Sequence, residues 1–159
     1  MISVILPTFN RDLIIASSIE CVLSQSFIDY ELIIVNDCSS DNTEEIIRNY
    51  CNQDQRIKYI KNEINLGCAT SREIGYKNSQ GNILVFLDDD DWWPADKLMK
   101  QYNLLMRDDY DMIIIPGDQY YESYEVQENG MTIGDIHYTA EGGTLCLRVV
   151  DFKPSHLEE

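Results

Sequence analysis

Four consecutive aspartates, Asp88-Asp89-Asp90-Asp91, follow directly on the apolar run Ile83-Leu84-Val85-Phe86-Leu87. An ordinary solvated charge run does not begin at the end of a buried strand. Carboxylates about 4 Å apart repel by ~1 kcal/mol in water and ~4 kcal/mol at an effective dielectric of 20, so something should offset the repulsion. A hard divalent cation does so with oxygen ligands, and Mg²⁺ or Mn²⁺ would keep positions for diphosphate oxygens and water. The plainer reading is an acidic loop that caps the following helix; carboxylate clusters at strand ends favour the ligand site. Other residues at strand ends invite the same scrutiny. Asp37 follows Glu31-Leu32-Ile33-Ile34-Val35 and could accept from a base N–H or a ribose hydroxyl, or form a local Asx-turn. Asp41 already heads a capping box, Asp41-x-x-Glu44, which leaves Asp37 free. Thr8 and Asn10 follow Pro7, where turn formation explains them equally well. Arg72 is either a phosphate partner or a surface helix residue. Trp92 and Trp93 are read as packing residues before sugar platforms.

The elements that must position these residues alternate. Ile2-Ser3-Val4-Ile5-Leu6, Glu31–Val35, Ile57–Ile60, Ile83–Leu87 and Met112–Ile115 read as strands. Between them lie helical patterns: Ile15, Ile19, Val22 and Leu23; the segment after Asp41; 67–78, with a thin apolar face; and Leu98, Tyr102, Leu105 and Met106. Continuous apolar strands alternating with helices predict an α/β fold with a Rossmann-like, mostly parallel sheet flanked by helices. Ligands then bind beyond the carboxyl ends of the strands, where Thr8, Asn10, Asp37 and the aspartate run all fall. After Pro116 the rhythm is lost, with one further strand at Thr144–Val150.

Composition narrows the partners. With 28 acidic against 12 basic residues the net charge is −16 over 159 residues. Nucleic acid is excluded as a partner, because phosphate binding needs a basic surface. An anionic nucleotide would need a cation between two negative surfaces. No basic n-region precedes the first apolar run, and no apolar stretch approaches the roughly 20 residues that span a bilayer, so the expectation is a cytoplasmic chain. Five cysteines, odd in number and without CxxC spacing, read as reduced thiols. No GxGxxG follows a strand and no P-loop is present. Asp88-x-Asp90 is unlike a phosphatase pair, since Trp92 stands where a small hydroxyl residue is wanted, and EF-hand spacing fails at Trp93 and Met99.

Taken in order, Pro7-Thr8-Phe9-Asn10-Arg11, then Val35-Asn36-Asp37-Cys38-Ser39-Ser40-Asp41, then Asn65-Leu66-Gly67 with Ser71-Arg72-Glu73-Ile74-Gly75, then Gly81-Asn82-Ile83 through Asp91 and Trp93 resemble the family 2 glycosyltransferases of GT-A fold. One such motif is weak; four in series are specific. The resemblance covers about residues 1–116 and implies a nucleotide-diphosphate-sugar donor, usually UDP-linked, a divalent cofactor (Mn²⁺ or Mg²⁺) and inversion at the anomeric carbon. It implies a nucleotide-sugar-binding set of Thr8, Asn10, Asp37, Arg72, Asp88, Asp89 and Asp90, and a metal set of Asp88, Asp90 and Asp91. It divides the chain into a nucleotide-sugar-binding core, 1–116, and the start of an acceptor-side region, 117–159, shorter than such catalytic domains usually are. The acceptor would be a glycan or polysaccharide, with peripheral association at the cytoplasmic membrane face. The departures are Asn36, Cys38 and Glu73, where aspartate, glycine and asparagine are common; Cys38 restricts its turn. Asp118, Asp135, Glu141 and Asp151 are available carboxylates, but none sits in a recognisable catalytic-base context. The rival expectation is a module that binds nucleotide-sugar without transfer.

Overall fold

The computed structural model describes residues 1–107, 112–115 and 144–148. In chain order the elements are β1 (Ile2–Thr8), α1 (Ile15–Leu23), β2 (Tyr30–Asn36), α2 (Thr43–Cys51), β3 (Ile57–Lys61), α3 (Cys68–Lys77), β4 (Ile83–Phe86), α4 (Lys97–Arg107), β5 (Met112–Ile115) and β6 (Thr144–Arg148). They form one six-stranded sheet in the order β3-β2-β1-β4-β6-β5. Strands β1 to β4 are mutually parallel, as their continuous apolar runs predict. The first strand, read from sequence as Ile2 to Leu6, continues through Pro7 to Thr8. Beyond β4 the simple progression breaks. β6 enters antiparallel between β4 and β5, pairing Val85 with Cys146 and Ile113 with Cys146. The chain therefore winds outward from β1 to β3, then returns to place β4 on the other side of β1. That reversal opens a crevice at the carboxyl ends of β1, β2 and β4. The proposed boundary after Pro116 and the carboxylates Asp118, Asp135, Glu141 and Asp151 lie outside the described residues.

Alternation along β1 sorts the two faces. Ile2, Val4 and Leu6 join Leu32 and Ile34 of β2, Ile15, Ile19 and Val22 of α1, Ile47 of α2 and Leu98 and Leu105 of α4 in the main core. Ile5 faces the other way and meets α3. A Cβ added to Gly75 would lie 2.4 Å from Ile5 Cγ2. This explains the thin apolar face of α3: its buried residues are Ser71 and Gly75, so the helix lies close against the sheet by being small there.

The amino edge of the sheet is closed by a carboxylate. Glu31 Oε1 accepts from Ser3 Oγ (2.6 Å) and from the Gln80 N–H (2.6 Å), and Oε2 pairs with Lys58 Nζ at 2.6 Å. Burial pushes the Glu31 carboxyl up, but the Lys58 ammonium, the Ser3 hydroxyl and the Gln80 amide together hold it below the ordinary glutamate value. A depressed native pKa contributes stability that is present above the unfolded value and lost as pH falls through the native one. Glu31→Gln should lower unfolding free energy at pH 7 by about 1–3 kcal/mol. In urea titrations the gap to wild type should shrink below about pH 4. A gap independent of pH would show that the charge of Glu31 contributes nothing.

Candidate functional site

The crevice is a cleft of about 410 Å³. Its walls come from the loop after β1 (Pro7, Thr8, Phe9, Arg11), from Asp37 after β2, from the entry to α3 (Asn65, Gly67, Cys68, Ser71) and from Asp88, Asp89 and Asp90 after β4. Of the residues singled out by sequence, the structure brings Thr8, Asp37, Asp88, Asp89 and Asp90 to this cleft. Asn10, Arg72 and Asp91 are not among its lining residues, but Arg72 is ion-paired with the lining Asp88.

Asp37 is buried and differs from expectation in being already engaged. Its Oδ1 accepts from Asn62 Nδ2 (2.8 Å) and the Leu66 N–H (2.8 Å), and its Oδ2 from the Gly67 N–H (2.8 Å). Burial raises its pKa, but these donors outweigh burial and lower it below the ordinary value. Asp37 thus holds the 62–67 loop against β2, and its Oδ2, with one donor, keeps acceptor capacity at a residue that borders the cleft. Gly67 has φ +84°, the left-handed backbone that lets the loop turn into α3. The expected capping box at α2 is replaced by other bonds. Asp41 accepts the Thr43 and Asp12 N–H groups, and Glu44 pairs with Arg48 and with Lys61.

Two loops are stitched together behind the cleft. Asn10 Oδ1 accepts the Ser40 N–H at 2.8 Å, the Asn10 N–H donates to Ser39 Oγ, and the Asp37 N–H donates to the Thr8 carbonyl at 2.8 Å. Asn10 and Cys38 both adopt left-handed backbone, at φ +53° and +67°. Cys38 therefore performs the turn for which glycine is better suited, at a cost of roughly 1–2 kcal/mol. Thr8 is 3% exposed and its Oγ1 has no hydrogen-bond partner, although the residue borders the cleft. A buried hydroxyl left unmet next to a cavity is free to take a water or a ligand there.

Asp89 and the segment after the aspartate run are held through their backbone by α1 and by Gln25 just past its end. Ser18 Oγ donates to the Asp89 carbonyl (2.6 Å), Cys21 Sγ accepts the Trp93 N–H (2.9 Å), and Gln25 bridges the Pro94 carbonyl (2.9 Å) and the Leu98 N–H (3.0 Å). These positions, i, i+3 and i+7, share one helical stripe. The stripe reads as polar interruptions in an apolar pattern, and sequence reasoning missed it. The tryptophans split: Trp93 is buried in the core and Trp92 is 77% exposed.

Electrostatically the run is strained but partly compensated. The Asp91 carboxyl is pushed up to about 6, first by burial and then by the Asp88 and Asp90 carboxylates. Arg72 of α3 is ion-paired with Asp88, and Arg11 Nε meets Asp89 Oδ1 at 3.1 Å. Arg11 was not among the expected site residues; the signal was a lone base directly past β1. Asp88 and Asp90 present an oxygen-only donor set suited to a hard cation. Among the described residues no three carboxylate, thiol or imidazole groups converge as a ready-made metal cage. The donor set fits a cation completed by phosphate oxygens and water, the usual habit of Mg²⁺.

A mostly parallel α/β sheet with a carboxylate-lined crevice at its switch point is the architecture of a GT-A type domain. Comparison makes this particular: the profile of glycosyl transferase family 2 matches residues 3–150, and the chain belongs to that family. It is 41% identical over 106 residues to the putative teichuronic acid biosynthesis glycosyltransferase TuaG of Bacillus subtilis, covering 67% of this chain and 42% of that one. It is 33% identical over 134 residues to the UDP-Glc:alpha-D-GlcNAc-diphosphoundecaprenol beta-1,3-glucosyltransferase WfgD of Escherichia coli, covering 84% and 49%. The crystal structure of S. aureus TarS 1-349 in complex with UDP-GlcNAc superposes with a TM-score of 0.66 at 28% identity, over 70% of this chain and 32% of that one. The chain thus spans less than half the length of these relatives. Among the described residues no helix is long and apolar enough to cross a membrane.

Proposed function

We propose that this chain forms the donor-binding half of a glycosyltransferase that takes a UDP-linked sugar with Mn²⁺ or Mg²⁺ and passes the sugar, with inversion, to a glycan acceptor. The observation that carries the reading is one cleft bordered by Asp88 and Asp90, by the anchored Asp37 and by the unmet hydroxyl of Thr8. The UDP-GlcNAc complex of a relative with the same fold supports the donor class. Asp37 and the 62–67 loop it fixes would receive the base and ribose, with Thr8 supplying a hydroxyl. Asp88 and Asp90 would hold the cation, with Asp91 beside them, and Asp89 keeps Arg11 at the donor side. Bound there, the cation would act as a Lewis acid on the leaving diphosphate. The WfgD name supports an acceptor carried on a lipid diphosphate. Exposed Phe9, Leu66 and Trp92 at the same edge suit an amphipathic acceptor meeting the cytoplasmic membrane face.

Calorimetric titration of UDP should give binding with Mn²⁺ and little without it. Cys68, exposed and on the cleft wall, offers a second readout. Burial raises its thiol pKa, so alkylation is best followed near pH 9. UDP with Mn²⁺ should slow Cys68 modification several-fold, whereas the half-buried Cys51 of α2 should be unaffected. Equal protection of both, or UDP binding indifferent to Mn²⁺, would defeat the reading.

A further inference from the structure

Arg72 occupies an unusual position between wall and ligand. It rises from α3, its guanidinium carbon lies 5.9 Å from the centroid of the Phe86 ring, and its Nη2 pairs with Asp88 Oδ1. Its Nε is buried and has no hydrogen-bond partner. The guanidinium is therefore used at one end only, although its fork is built to take two oxygens of one anion. Asp88 is half of the carboxylate pair offered to a cation. Asp90, the other half, is exposed and has no salt bridge among the described residues. Arg72 already holds Asp88 Oδ1, and a cation on the same carboxylate meets its positive charge, so each weakens the other's hold.

We propose that Arg72 is a built-in counter-ion that competes with the divalent cation for Asp88 and is handed to the donor's diphosphate when the nucleotide enters. This rests on the donor-site reading above. Before the nucleotide arrives, Arg72 shields Asp88 and keeps metal affinity low. The diphosphate offers the fork two oxygens, meets Nε, draws Arg72 off Asp88 and completes the two-carboxylate metal site. Metal and nucleotide then bind with positive coupling, and linkage makes the coupling equal in both directions.

The test is Mn²⁺ binding followed by loss of the free-ion EPR signal, with and without UDP, on wild type, Arg72→Met and Lys61→Met. Lys61 is an exposed cation paired with Glu44 and is not among the cleft's lining residues. Without UDP, Arg72→Met should bind Mn²⁺ about tenfold tighter than wild type, and the gain on adding UDP should fall by a similar factor. Lys61→Met should match wild type. Unchanged or weaker Mn²⁺ binding in Arg72→Met without UDP would overturn the competition. So would equal tightening in Lys61→Met, which would mark a bulk-charge effect. If UDP fails to tighten Mn²⁺ in wild type, the donor reading and the handover both fall, while the UDP-free comparison still decides the competition for Asp88. Independently of any variant, the ¹⁵Nε–H resonance of Arg72 in wild type should move when Mg²⁺ and UDP are added together; a stationary resonance overturns the handover.

Discussion

Asp90→Ala is expected to weaken UDP binding in the presence of Mn²⁺ by about 100-fold or more while leaving the fold intact. Asp90 borders the cleft, is exposed, and makes no salt bridge among the described residues. Its removal therefore strips no partner from the interior, and the melting temperature should change little. What is lost is one of two carboxylates that neutralise a divalent charge, together with the diphosphate oxygens that the cation would bridge. Asp90→Asn should behave nearly as badly, because an amide oxygen lacks the charge. Calorimetry with Mn²⁺ decides it. Wild-type affinity in both variants would remove Asp90 from the donor site and leave Asp88 and Asp91 as the surviving metal candidates.

The second large effect has the opposite character. Asp37→Asn should unfold more easily by about 2–4 kcal/mol, because a buried acceptor-only group is replaced by one that turns an NH₂ toward other donors. Asn62 Nδ2 and the Leu66 and Gly67 N–H groups all converge on the two oxygens of Asp37. One of them must lose its partner whichever way the amide is placed. The loop that shapes one wall of the cleft is loosened at the same time, so nucleotide affinity falls with stability. The wild-type contribution is itself acid-sensitive. Burial raises the Asp37 pKa, its donors lower it by more, and the net depression means the stabilisation fades as pH falls below the ordinary aspartate range. Chemical denaturation at pH 7 and again near pH 3 should show the Asn variant losing most of its disadvantage in acid. An undiminished difference would mean the loop is held by shape and not by charge.

Much of this was legible from the chain, and the reasons differ by element. β1, β2 and β4 were readable because strands covered on both faces are apolar almost throughout, and their ends then locate the aspartates; β3, an edge strand of sequence Ile57-Lys58-Tyr59-Ile60-Lys61, was readable by its alternation. α3 was readable only as a weak helix, since its packing surface is Gly75 and Ser71 and hydropathy does not register smallness. The insertion of β6 between β4 and β5 was not readable: it depends on pairing between Ile83–Val85 and residues some 60 positions later. Asp37 was picked out correctly as unusual, but its partners lie 25 to 30 residues ahead, so local reasoning left it unengaged. The same locality misled the reading of Asp41 and Glu44. A four-residue pattern favours a capping box, yet Asp12 and Lys61, brought in by tertiary structure, offered better bonds. Arg11 escaped notice because nothing in its own neighbourhood shows that Asp89 will lie across from it.

The grip of α1 on the aspartate run has a consequence for how such a domain can diversify. Ser18, Cys21 and Gln25 bond to carbonyl and amide groups of Asp89, Trp93, Pro94 and Leu98. Position is thereby separated from identity. Trp92, 77% exposed between the held Asp89 and Trp93, can be exchanged without moving the carboxylates before it. A lineage could retune what it accepts at that edge one residue at a time, on a scaffold that keeps the chemistry in place throughout.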